Sequence, residues 1–235
     1  MEQYMMTKFS NKKFLSVLHS NKKFLLFILL MSVFRSAVAD WYSVPTGSMK
    51  PTIQEGDRII VNKMAYDVRL PFTDVSLLSI ASPKRGDIIV FESEAANLRL
   101  IKRVIGLPGD VIEMNNEVIM INGQRLFYKD SQSYIHQANS KEIRTSTEKI
   151  DNITHSINID NSASNQLSNF APVTVPAGHY LVLGDNRRHS ADSRVYGFIP
   201  HQELRGKATA IAFSVDYSNF YIPRSDRFFL NIYDI

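Results

Sequence analysis

Cysteine is absent from the 235-residue chain, which excludes disulfides, thiolate nucleophiles and cysteine metal sites while leaving the compartment open. Excess charge is also nearly absent from most of it. The net charge is +4, and residues 1–23 alone supply that excess through Lys8, Lys12, Lys13, Lys22 and Lys23 against Glu2. The remainder is close to neutral, so no nucleic-acid partner is expected. Six histidines are scattered without metal-ligand spacing such as HExxH. They read as solvated or locally hydrogen-bonded, and neither a metal nor an organic cofactor is expected. Beyond Asp40 no stretch keeps a long 3.6-residue apolar period, and there are no internal repeats, so the fold reads as mainly β.

What the chain does have, near its start, is an apolar run over residues 24–34 (FLLFILLMSVF), broken only by Ser32, preceded by the lysines and followed by Arg35. Eleven helical residues cover roughly 16 Å, short of the ~30 Å hydrocarbon core. Continuing through Ser36-Ala37-Val38-Ala39 helps if Arg35 snorkels toward headgroups. The lysines set the N-terminus in the cytoplasm and the rest outside. A basic start, an eleven-residue apolar stretch and Ala37-Val38-Ala39 before Asp40 equally describe a cleavable secretory signal. Either way the main domain is exported. Trp41 and Tyr42 read as interfacial anchors or as ordinary core aromatics.

Seven short runs rich in β-branched residues read as strands: 59–61, 87–91, 100–105, 111–114, 117–121, 179–183 and 208–213. Asn122-Gly123 is a hairpin-type turn signal. Residues 66–82, with Pro71 inside and Pro83 just beyond, read as an extended loop or ribbon, and 128–169, polar and weakly periodic, as a partly disordered insertion without chemistry.

Three ordered stretches carry the chemistry. They are Thr46-Gly47-Ser48-Met49-Lys50-Pro51-Thr52, Ile101-Lys102-Arg103-Val104-Ile105-Gly106-Leu107-Pro108-Gly109-Asp110, and Gly184-Asp185-Asn186 through Ser190-Ala191-Asp192-Ser193-Arg194. Together they resemble the type I signal peptidases, membrane-anchored proteases that remove signal peptides from exported proteins. The resemblance runs from about Trp41 to about Phe213 and favours an uncleaved anchor, since that family keeps its serine close to the membrane.

A serine hydroxyl needs a base within hydrogen-bond reach. Without a placed histidine the base is a lysine whose pKa burial has lowered. Lys102, inside an apolar run, suits this, and period two sets it on the face of Leu100 and Val104. Its pairing with Ser48 comes from the resemblance, because 54 positions separate the two. Lys50 is the rival base, although Pro51 and Gln54-Glu55-Gly56-Asp57 suggest a solvated turn. The Ser48 N–H and the Thr46 hydroxyl, on one side of an extended segment, are the oxyanion donors. The family usually has serine at that position. The resemblance further implies that the Ser190 hydroxyl hydrogen-bonds the Lys102 amine and that Asp192 and Arg194 form a supporting salt bridge. Arg187-Arg188-His189 departs from the acidic or amide residues often found there, and Gly184, Asp185 and Asn186 also read as plain turn residues.

The resulting expectation is an antiparallel β catalytic core with an inserted β-rich lobe, preceded by one N-terminal membrane helix. Its parts are a basic cytoplasmic tail (1–23), an anchor (24–40), a core (41–110 and 173–215, with the 66–83 loop), a lobe (111–172) and a C-terminal tail (216–235). The implied function is a single-pass inner-membrane serine endopeptidase with its catalytic domain on the periplasmic side. Ser48 and Lys102 form its dyad, and it cuts exported preproteins after Ala-x-Ala, in contact with membrane lipid. The alternatives are a dedicated pilus or conjugation-type maturation peptidase and an inactive exported binding protein.

Overall fold

Alternation of branched apolar residues with polar ones builds this protein. In the computed structural model, which describes residues 19–73, 75–136 and 141–235, all seven runs read as strands are strands. In chain order the elements are α1 (Lys22–Ala37), β1 (Ala39–Ser43), β2 (Asp57–Asn62), β3 (Asp67–Arg69), β4 (Ser76–Ser79), β5 (Ile88–Ser93) and β6 (Leu98–Gly106). Then come β7 (Val111–Asn115), β8 (Val118–Ile121), β9 (Gln124–Arg125), β10 (Phe127–His136), β11 (Lys141–Ile150), β12 (Ile153–Asp160), β13 (Phe170–Thr174) and β14 (His179–Leu183). The chain closes with α2 (Ser193–Tyr196), β15 (Ile199–Pro200), β16 (Leu204–Asp216), β17 (Ile222–Pro223) and β18 (Leu230–Asn231).

The main sheet runs β1-β2-β16-β5-β6-β14-β15, antiparallel at every pairing. Strand β5 is buried on both faces. Ile88 and Val90 join a cluster with Met49, Ile53, Ile59 and Ile211, while Ile89 and Phe91 join Val104, Val182 and Leu204 on the other side. Strand β6 lies between β5 and β14, so any side chain it turns inward loses its water.

Residues 66–82 hold the expected ribbon, β3 paired with β4. Asn122 and Gly123, both at positive φ, turn β8 into β9 as their sequence requires. The insertion is β-rich, as expected, but more ordered than its composition suggested. Strands β10, β11 and β12 form an ordered antiparallel meander, although residues 137–140 lie outside the described residues. Its composition looked disordered because several inward positions are polar: Ser146, Glu148, His155 and Asn158 are buried together with Ile150, Ile157 and Ile159.

Residues 216–235, expected as a tail, pack onto the core. β17 and β18 pair with β16, Ile232 is buried, and Arg227 meets Asp57 at 2.7 Å.

Helix α1 is 16 residues long, about 24 Å, and its large apolar side chains from Phe24 to Phe34 are mostly exposed. Among the described residues no helix is long and apolar enough to cross a membrane. Residues 1–18, with most of the basic tail, lie outside them. Ala39 and Asp40 pair with Asn62 and Val61, so a cut after Ala39 would fall inside a strand. Trp41 is exposed beneath the Arg35 guanidinium, and Tyr42 packs partly against the core under Arg99.

Candidate active site

Ser48 opens the turn between β1 and β2. Met49 and Ile53 anchor that turn by sinking fully into the core, and backbone bonds from Lys50 N to Gly47 O and Ile53 N to Met49 O close it. Ser48 is left half-buried at the rim, with Thr46 exposed just before it.

Lys102 comes from the middle of β6, and its Nζ lies 2.8 Å from Ser48 Oγ and 2.9 Å from the Ile101 carbonyl. The side chain is 2% exposed. Among the described residues no carboxylate pairs with it. Burial lowers its pKa to about 8, against the pull of Asp192 and Asp185 and with help from Arg194. A neutral amine in contact with a serine hydroxyl is a base and nucleophile pair. Lys50 turns away: its Nζ meets Glu55 at 2.5 Å in a half-exposed pair.

The third stretch wraps beneath Ser48. Gly184 is required by close approach, since a Cβ there would stand 2.2 Å from Ser190 Oγ and 2.5 Å from the Ser48 carbonyl oxygen. Asp192 accepts from Gly184 N at 3.0 Å and forms the expected salt bridge with Arg194 at 2.7 Å. Arg194 also donates to the carbonyls of Leu167 and Arg187.

Ser190 corrects the expectation. It is buried, but its Oγ has no hydrogen-bond partner among the described residues, and the Lys102 amine is engaged by Ser48 and Ile101 instead. Ser190 packs closely against Gly184.

Several contributors carried no decisive signal in the sequence. Asn186 donates its backbone N–H to the Ser48 carbonyl at 3.1 Å and its side-chain amide to the Gly47 carbonyl at 3.0 Å. Asp185 takes a bidentate contact from Arg103 (2.8 and 2.7 Å) and a 2.6 Å bond from Thr52. Burial alone would raise the Asp185 carboxyl, but Arg103 overrides it and holds the group below its usual range. Arg187, Arg188 and His189, the departure from the family pattern, meet acids of the lobe: Glu148 (2.5 Å), Glu117 (2.6 Å) and Asp160 (2.7 Å). No spacing rule could pair these three basic residues with acids so far away in the sequence.

Comparison with known proteins identifies the family. The family model described as signal peptidase, peptidase S26, matches residues 17–213. A signal peptidase I of Pseudomonas fluorescens is 36% identical over 202 residues, covering 81% of this chain and 70% of that protein. One from Rickettsia typhi is 37% identical over 202 residues, covering 80% and 76%. The crystal structure of a signal peptidase I from Enterococcus faecalis, 36% identical, covers 55% of this chain and 98% of its own at a TM-score of 0.34, too low to bear on the fold. With nearly the whole described chain inside the matched region, the protein belongs to the signal peptidase family S26, a family of serine endopeptidases.

Proposed function

We propose that this protein removes signal peptides from exported preproteins by a Ser48/Lys102 dyad. The observation that supports it best is the 2.8 Å contact between the hydroxyl and a buried lysine without an acidic partner. In its neutral form Lys102 donates one N–H to the Ile101 carbonyl and turns its lone pair to Ser48, whose O–H then donates to it. Ser48 Oγ attacks the scissile carbonyl while Lys102 takes the proton. The Ser48 N–H and the Thr46 hydroxyl stabilise the oxyanion. Lys102 returns the proton to the leaving amine, which departs and leaves an ester on Ser48. Water, deprotonated by the same amine, then attacks the ester, and Lys102 returns that proton to Ser48 Oγ as the acyl group leaves. Asp192 and Arg194 support the 184–190 loop on which this geometry rests.

Cleavage follows Ala-x-Ala, as the resemblance to the signal peptidases implies: a shallow apolar pocket would admit small side chains and exclude large ones. The exposed apolar surface of α1 serves as the single-pass inner-membrane anchor, with the N-terminus cytoplasmic and the catalytic domain periplasmic. At about 24 Å it is short for the ~30 Å hydrocarbon core, and Lys22, Lys23 and Arg35 snorkel to the headgroups. The test is incubation of detergent-solubilised protein with a precursor bearing an Ala-x-Ala signal, read by product mass. A cut after the second alanine, lost in both Ser48→Ala and Lys102→Met, supports the reading. Cleavage that survives in Ser48→Ala contradicts it.

A further inference from the structure

We infer that the β10–β12 lobe positions the nucleophile through the loop of residues 184–190, with Glu148 and Asn186 as positioning residues. The inference rests on the reading of Ser48 as the attacking group. The chain of contacts is continuous. Strand β12 bridges the loop where Asn158 N donates to the Asp185 carbonyl at 2.9 Å, and Asn158 pairs with Asn186 in a parallel bridge. Asn186 in turn holds the carbonyls on both sides of the Gly47–Ser48 linkage, one through its backbone N–H and one through its side chain. Removing either donor frees the turn that keeps Ser48 within 2.8 Å of Lys102.

The next residue fixes the loop from the other side. Arg187 is fully buried, and its Nε and Nη1 have no hydrogen-bond partner among the described residues. Its charge is compensated in the lobe, where Nη2 meets Glu148 Oε1 at 2.5 Å. Glu148, on β11, is equally buried and accepts a second bond from Tyr128 at 2.5 Å. Burial would raise the Glu148 carboxyl, yet Arg187 and His155 hold it well below the usual range. His155 of β12 sits between the two acids, 3.2 Å from Glu148 and 3.8 Å from Asp185. A buried guanidinium with one carboxylate partner stays in place only while that partner is charged. Glu148 therefore decides where Arg187, and with it the adjacent Asn186, can lie. Two further pairs, Arg188 with Glu117 and His189 with Asp160, fasten the same loop to residues of the insertion.

Displacement of a reacting atom by about 1 Å costs on the order of 100-fold in rate. The test is steady-state cleavage of the Ala-x-Ala precursor by full-length protein carrying Asn186→Ala, Glu148→Gln or both. Each single variant should lower kcat, by about 100-fold and about 10-fold, with KM within about twofold. The double variant should be no worse than Asn186→Ala by more than about threefold, because both act through one loop. Multiplying effects, or losses confined to KM, would overturn the proposal. If Glu148→Gln leaves too little folded protein, Glu148→Gln with Arg187→Met removes both buried charges and should show the same kcat loss. Ile199→Val, in an apolar cluster without lobe residues, controls for stability: a variant matched to it in thermal midpoint but equal to it in kcat would also overturn the proposal. Ser48→Ala in the same assay separates this outcome from failure of the Ser48 reading.

Discussion

Lys102 and Arg103 are consecutive on β6, and both are buried, at 2% and 1% exposure, yet they sit in opposite electrostatic regions. Arg103 reaches into a scaffold of paired charge, with Asp185 gripping it in two places and Gly86 accepting a third bond. Lys102 points to a pocket where a hydroxyl and a peptide carbonyl replace the carboxylate. One strand thus serves two needs. Desolvation with pairing makes a fixed cation that can hold a loop, while desolvation without pairing makes an amine ready to give up its proton. The price of the second arrangement is stability.

Removing the reacting groups themselves gives the largest effect. Ser48→Ala and Lys102→Met should each cut precursor cleavage by at least about 1,000-fold, read as kcat. Breaking the paired side comes next. Asp185→Asn leaves Arg103 buried without its counter-charge, and the urea midpoint should report a loss of about 3–5 kcal/mol.

The unpaired side should behave in the opposite way. Lys102 has a folded pKa of about 8, below its ordinary 10.5, so between those values the unfolded chain holds the extra proton and stability rises with pH. Below about 8 the folded protein carries the whole cost of a buried ammonium. Lys102→Met should therefore have a higher thermal midpoint than the parent at pH 7, with the gap shrinking toward pH 10.5. A methionine variant that melts lower at pH 7 would mean that the ammonium has a compensating partner. The smallest effect belongs to the rival lysine. Lys50→Met breaks a half-exposed pair worth at most about 1 kcal/mol and should leave kcat/KM within about twofold.

Much of this comparison was legible in the residues. Lys102 inside an apolar run announced desolvation, and alternation located the strands that bury it. The partner of Arg103 was not legible, because Asp185 lies 82 positions away and looks like a turn residue. The β-rich lobe was expected, but its order was not, for a related reason. Glu148, His155 and Asn158 sit at inward strand positions where alternation anticipates apolar residues, and their partners belong to the distant 184–190 loop. The Ser190 contact came from resemblance alone, and the Lys102 amine bonds Ser48 and Ile101 instead. Arg227 and Ile232 gave no periodic signal, as single anchors rarely do, although they fasten the chain end to the core.

The most direct test of the unpaired lysine is the pH dependence of kcat/KM for precursor cleavage from about pH 6 to about pH 11. The free enzyme should show one rising limb with an apparent pKa of about 8, set by loss of the Lys102 proton. A limb near 6.5 would assign the base to a histidine, and one near 10.5 to a solvated lysine, and either would contradict the account.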